Sequence, residues 1–204
     1  MKNIAQKYSR KLFKFHPQTY YHSLRVAQIS RTIGNIIGIS ESELNELYYA
    51  ALLHDIGKLC IPLDVLKKPG LLTSEEWELI KEHPRKITEI LNPQEYQKIN
   101  TIIPAILQHH EHYDGKGYPN GLKGEEINFY ARIIAIADTY DAMTTNRVYK
   151  TKILSPQEAF QEILDNAGSQ FDYFVIKEIQ KTNISKLDKE HLVNKRILNQ
   201  KQRI

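Results

Sequence analysis

The 204 residues predict an all-α protein. Three observations lead there. Apolar residues recur at spacings of three and four, the period of one helix face. Ser or Thr stands three residues before Glu at several run starts, as in Ser40 to Glu43, which marks helix N-termini. No stretch sustains the strict alternation of a half-buried strand.

The opening MKNIAQKYSRKLFKF is basic and mildly amphipathic, which suits a first helix or a frayed terminus better than contact with a membrane or partner. Leu24, Ile29, Ile33, Ile36 and Ile37 mark a helix after His22 that stops near Gly38. Ser40 caps a second helix, acidic in its first turn, whose stripe Leu44, Leu47, Ala50, Ala51 and Leu53 delivers His54-Asp55 near its C-terminus. Gly57 is expected to break that helix. Pro62 and Pro69-Gly70 punctuate a loop with a short helical turn. Thr73 caps a helix expected to carry His83, and Pro84 forces a bend or restart. One helix is expected over about 94–108, ending at His109-His110. Residues 113–124, rich in Gly, Pro and Asn, read as an ordered loop. A long helix over about 129–146 carries Asp138. Ser155, followed by Pro156, caps another, and a last one covers about 173–181.

The length suits one domain with a good core. A net charge of +4 suits an anionic substrate without demanding a nucleic acid polymer, and a generic surface excess explains it equally. The single cysteine, Cys60, excludes an internal disulfide, fits a reducing compartment such as the cytoplasm, and reads as buried filler. No segment has the length of a membrane span and the N-terminus lacks a signal-peptide core.

The chemistry sits in the histidines and aspartates. An adjacent imidazole and carboxylate, His54-Asp55, can bind a divalent metal, and two carboxylate oxygens can bridge two metals. His22, His83, His109, His110 and Asp138 complete an inventory of seven candidates at helix ends or on apolar helices. His54-Asp55 and His109-His110 fall at expected helix C-termini, whose partial negative charge favours a cation. Asp138, among Ile133, Ile134, Ile136 and Ala137, is costly there unless paired or metal-bound. A hydrogen bond to backbone or to Arg132 is its alternative explanation. Taken singly, each histidine fits an ordinary core or helix-end role; taken together, the seven argue for metal. The donors are nitrogen and oxygen without thiolate, which suits iron, manganese or zinc and excludes a cysteine-type structural zinc site. Two such ions could activate a water and clamp the oxygens of a phosphoryl transfer. Lys58, four residues after His54, could reach a phosphate there or be a solvated loop lysine.

These residues resemble the HD-GYP domains, a branch of the HD phosphohydrolase superfamily. The resemblance is carried by HSLRVAQIS from His22, HDIGKLCIP from His54, KPGLLTSEEWELIKEHP ending at His83-Pro84, HHEHYDGKGYPNGLKGEEI from His109, ARIIAIADTYDAMTTNRVYK around Asp138 and AGSQFDY from Ala167. It spans about residues 20–175 of what is expected to be a single domain over 1–204, with a basic tail over about 183–204. Gly117-Tyr118-Pro119 is the GYP itself. The resemblance implies an HD-domain helical bundle with a GYP loop, holding two or three metals. It implies hydrolysis of cyclic di-GMP to pGpG, or on to GMP, by a metal-bridging hydroxide. Carried over by position, His22, His54, Asp55 and Asp138 would hold one ion, and Asp55 would bridge to a second held by His83, His109 and His110. Lys58 would stabilise phosphate charge, and Tyr118, Arg147 and Lys150 would contact the nucleotide. Arg147 and Lys150, three apart, share a helix face, although an exposed helix end explains them as well.

Trinuclear members carry glutamate where this chain has Gln18, so two ions are expected, with iron or manganese first and zinc, nickel or magnesium as alternatives. His112 and Tyr113 stand where arginine and tryptophan are common. The expected partner is cyclic di-GMP or a related nucleotide; a homodimer or a regulatory protein is compatible, and the chain is either a stand-alone enzyme or part of a longer one. Two readings stay open beside a cyclic di-GMP phosphodiesterase: an HD hydrolase of another nucleotide, and a catalytically inactive receptor or interaction module.

Overall fold

The computed structural model describes residues 1–145 and 153–182. Among them are eleven α-helices, two short 3-10 turns and no strand beyond an isolated bridge between Ala167 and Phe171, so the expected all-α class holds. Arg147, Lys150 and the 183–204 tail lie outside the described residues.

The opening segment is a helix, α1 (Lys2–Phe15), which buries Ile4, Ala5, Tyr8 and Leu12 on one face. Its Tyr8 hydroxyl lies 2.9 Å from the Ile90 carbonyl and 2.8 Å from Glu95, which ties this helix to the 90–95 segment. Helix α2 (Pro17–Ile37) starts on a proline that needs no N–H in the first turn and stops on Gly38 at φ 83°. His22, Val26, Ile29 and Ile33 form its inward stripe. Helix α3 (Glu41–Leu53) opens on a complete capping box between Ser40 and Glu43, as the sequence predicts. Its end brings His54 and Asp55 into the interior, at 1% exposure each.

Next come a 3-10 turn over Ile56–Cys60, α4 (Leu63–Leu66), α5 (Ser74–Lys81) on the Thr73–Glu76 capping box, α6 (Ile87–Ile90), α7 (Pro93–Lys98) and α8 (Ile103–Gln108). Helices α9 (Phe129–Thr144), α10 (Pro156–Asp165) and α11 (Tyr173–Gln180) complete the described set. The core is built where α2 lies against α3 and α9, with α8 behind; Ile33, Leu47, Leu53, Ile106, Ile133 and Ile134 are buried there. Each such side chain contributes about 2 kcal/mol by leaving water.

Four expectations need correction. The single helix over 94–108 is two, because Ile99 leaves helical geometry at φ −126° and Pro104 in the first turn of α8 has no N–H to continue the ladder. His83 lies beyond the end of α5, in the turn that Pro84 imposes. Gly57 does not end α3, which has already stopped at Leu53; it lies in the following 3-10 turn without a positive φ. What requires glycine there is space: an added Cβ would stand 1.8 Å from the His83 carbonyl oxygen. Cys60 is exposed rather than buried, since it closes that turn at the surface.

The 113–124 loop is ordered as expected. Gly115 and Gly121 take φ of 86° and 70°, and the Tyr113 and Asp114 amides donate to the Gln170 and Ser169 carbonyls at 3.1 and 2.8 Å. Among the described residues, no helix is long and apolar enough to cross a membrane.

Candidate metal centre

Five elements converge on one interior region. Helix α2 contributes His22, the end of α3 contributes His54 and Asp55, the turn after α5 contributes His83, the end of α8 contributes His109 and His110, and α9 contributes Asp138. Helix ends make this possible. Neighbouring residues on a regular helix point about 100° apart, but beyond the last turn both can face inward. The seven candidates form two groups, His22–His54–Asp55 and His83–His109–His110, with Asp138 beside His22. Within each triad the potential ligand atoms all lie within 4.8 Å of one another.

The imidazoles are oriented alike. Nδ1 of His54, His83 and His109 each lies 2.7–2.8 Å from the carbonyl three residues earlier, at Ala51, Ile80 and Ile106. A carbonyl only accepts, so each Nδ1 carries the proton and each Nε2 presents a lone pair. His22 places Nδ1 2.7 Å from Asp141, with the same consequence. The Nε2 atoms then meet each other and the carboxylates. His83 Nε2 is 3.3 Å from His109 Nε2, two lone pairs face to face. His54 Nε2 is buried without a hydrogen-bond partner. Lone pairs pointed at one another in a dry interior repel unless a cation lies between them.

Asp55 faces both groups with different oxygens. Oδ2 is 3.8 Å from His22 Nε2, 3.5 Å from His54 Nε2 and 2.7 Å from Lys58 Nζ. Oδ1 is 3.2 Å from His83 Nε2 but receives no aligned hydrogen bond. Asp138 lies 2.9 Å from His22 Nε2, and its side chain is 17% exposed, so it opens onto the site rather than into the apolar core. Arg132 pairs instead with Asp172 at 2.6 Å. These two buried clusters are consistent with a dinuclear metal site.

The charges agree with that arrangement. Burial pushes Asp55 up, but Lys58, His54 and His83 outweigh it and hold the carboxyl well below the usual range. Burial likewise raises Asp138, but the His22 imidazole 2.9 Å away, with His54 and His110 nearby, holds the carboxyl well below the usual range. Burial lowers His54, lowers His109 well below its ordinary value, and lowers His110 to about 3. Burial also raises the Tyr118 phenol, which stays protonated and able to donate.

A pH dependence follows for the metal-stripped protein. These imidazoles bind protons less readily folded than unfolded, so between their unfolded and folded values the unfolded chain holds more protons. Stability is full above about 6.5 and falls as the pH drops toward about 3. Urea titrations of stripped protein at pH 7.5 and 5 check this; the midpoint should be lower at pH 5, and metal binding should weaken in the same direction because protons compete for Nε2.

Three supporting residues escape a reading by motif. Asp141, fully buried, accepts from His22 Nδ1 and from Arg25 Nε and Nη2 at 2.6 and 3.0 Å. Its signal is a second carboxylate three residues after Asp138 on an apolar helix. Arg25, three residues after His22, shares that residue's helix face. Glu111, 2% exposed, carries no periodic signal. Tyr118 stacks on His110 with ring centroids 4.8 Å apart, which places the Gly117-Tyr118-Pro119 segment beside the second triad. Lys58 reaches Asp55, while Gln18 is exposed at the start of α2.

Residues 6–175 match the family described as HD domain. The chain belongs to the HD-domain family. It is similar to a Thermotoga maritima protein named cyclic di-GMP phosphodiesterase, 41% identical over 165 residues that cover 80% of this chain and 44% of that protein. It is also similar to the Xanthomonas campestris cyclic di-GMP phosphodiesterase response regulator RpfG, 44% identical over 126 residues, with 62% of this chain and 33% of that one covered. A Vibrio cholerae protein named 3'3'-cGAMP-specific phosphodiesterase 2 is 36% identical over 155 residues, covering 76% and 30%. This HD domain therefore spans less than half the length of these curated relatives. Among solved structures, an HDG"Y"P protein from Bdellovibrio bacteriovorus superposes with TM-score 0.58 at 25% identity, covering 77% of this chain and 49% of that one. The HD domain of the phosphodiesterase PgpH from L. monocytogenes shares the fold at TM-score 0.62 and 21% identity, covering 89% and 95%. The HD-GYP resemblance read from the motifs is upheld by this family and these relatives.

Proposed function

We propose that this HD domain is a phosphodiesterase of cyclic dinucleotides, with cyclic di-GMP as its first substrate and pGpG as its first product. The observation that carries the proposal is the set of inward Nε2 lone pairs around an Asp55 whose two oxygens face different triads. In this reading His22, His54, Asp55 and Asp138 hold one divalent ion, and Asp55 is shared with a second held by His83, His109 and His110. Gln18, neutral and exposed, supplies no carboxylate for a third. Nitrogen and oxygen donors favour iron or manganese, with zinc, nickel or magnesium as alternatives. Such a pair of ions lowers the pKa of a water and offsets charge on a phosphodiester.

The chain's own groups do the rest. Lys58, 2.7 Å from Asp55, is close enough to the centre to neutralise a phosphate oxygen. Tyr118, stacked on His110 and held protonated, can donate to the substrate or stack on a base. Arg147 and Lys150 are assigned to the nucleotide by resemblance. Names of similar proteins support the substrate class, and the 3'3'-cGAMP relatives favour other cyclic dinucleotides as a second reading.

A substrate panel separates these readings. The protein is purified anaerobically, analysed for metal and incubated with manganese or ferrous iron plus cyclic di-GMP, 3'3'-cGAMP, cyclic di-AMP or linear nucleotides. Cyclic di-GMP is expected to turn over fastest, to pGpG. Turnover confined to another nucleotide reverses the ranking, and tight binding of cyclic di-GMP without cleavage in metal-replete protein supports a receptor.

A further inference from the structure

The GYP loop is fastened to the second histidine triad from both sides. Glu111 directly follows His110, and its buried carboxylate accepts from the Asn120 amide at 2.7 Å and the Leu122 amide at 3.1 Å. Arg85 lies two residues after His83, and its Nη2 donates to the Pro119 carbonyl at 2.8 Å and to Asn120 Oδ1 at 3.2 Å. Both fasteners grow from segments that supply members of one triad.

Between them the loop lies directly on the ligand backbone. The Tyr118 amide donates to the His110 carbonyl at 3.1 Å. Gly117 has no positive φ; it is glycine because an added Cβ would stand 2.2 Å from the His112 nitrogen and 2.5 Å from the His110 carbonyl oxygen. A charge as buried as that of Glu111 is costly unless its hydrogen bonds compensate. The hydrogen bonds of this carboxylate go to the loop amides and not to a histidine.

We infer that Glu111 is a positioning residue, seconded by Arg85, that sets the substrate-facing Tyr118 in register with His109 and His110. It acts through the loop backbone and touches neither metal nor substrate. The inference rests on the proposed cyclic-dinucleotide substrate only for Tyr118's role, not for the clamp itself. Its consequence is selective. A small phosphodiester without nucleosides needs the two triads but not the loop, whereas a dinucleotide needs both.

Glu111→Gln and Arg85→Ala test it beside wild type, all loaded with manganese. Glutamine keeps one accepting oxygen but turns an NH2 toward an amide donor, so one loop bond is lost. Metal content should equal wild type. With about one charge-assisted hydrogen bond lost, KM for cyclic di-GMP should rise about ten-fold for Glu111→Gln, while bis(p-nitrophenyl) phosphate hydrolysis stays within about two-fold. Amide exchange should quicken in the 117–123 peptide and not in the peptide holding His83. Equal loss on both diesters together with lost metal overturns the inference, because Glu111 would then merely support the triad. Unchanged kinetics and exchange overturn it too. If Glu111→Gln does not fold, the exposed Arg85→Ala decides by the same readouts. If wild type cleaves the small diester but no cyclic dinucleotide, the substrate reading fails, and exchange of 117–123 still decides the clamp.

Discussion

Asp55→Ala is expected to abolish metal binding and phosphodiesterase activity together. Its two oxygens face different triads, Oδ2 toward His54 and Oδ1 toward His83. In the proposed arrangement, removing it takes a shared anionic ligand from two cations at once. Metal polarisation of a phosphodiester is worth several kcal/mol, so turnover should fall about a thousand-fold or more. Asp55→Asn is the sharper test of charge, because it keeps the shape and one accepting oxygen. It should fold, as judged by circular dichroism, and yet hold far less metal by elemental analysis. Full activity in Asp55→Ala would falsify its role as the shared ligand.

Gly57→Ala is expected to be the most damaging single-carbon addition near the site. The new Cβ would stand 1.8 Å from the His83 carbonyl oxygen and 2.7 Å from its carbonyl carbon. These are backbone atoms, so no side chain can swing aside. His83 cannot retreat cheaply either, since its Nδ1 is held by Ile80 and Pro84 follows it. Overpacking of this kind costs about 3 kcal/mol. The second triad should lose metal before the first, because the displacement starts at His83. Gly38→Ala is the control: nothing lies within 4 Å of the added carbon, but φ is 83°, so only conformational strain of about 1 kcal/mol applies. Urea denaturation of both variants should rank Gly57→Ala well below Gly38→Ala. Equal midpoints would mean that His83 does not press on Gly57.

Much of the site is legible from composition and position. A carboxylate among isoleucines, as at Asp138, signals a polar purpose, and histidines at helix ends point to a cation. The helix starts at Ser40, Thr73 and Ser155 are equally legible, because a capping box is a contact between residues three apart. The break between α7 and α8 is harder to see, because Ile99 and Ile102 continue an apolar pattern and only the turn at Ile99 with Pro104 interrupts the ladder. Asp141 and Glu111 are harder still. A buried carboxylate that serves another residue looks, in sequence, like any exposed one.

What the chain by itself determines is local: which segments coil, where they stop, and which imidazoles and carboxylates it owns. The carbonyl that orients His54, His83 or His109 is three residues back, within reach of its own helix end. Tertiary packing decides which of these groups meet. His22 and Asp141 are 119 residues apart, and His83 and His109 are 26 apart. Their contacts exist only because α2, α3, α8 and α9 bury their apolar stripes against one another. That packing is driven by the removal of hydrocarbon from water, which is indifferent to the polar groups it brings together. The identity of the candidate ligands is therefore written in the sequence, while the placing of the two Asp55 oxygens toward different triads is a property of the packed bundle.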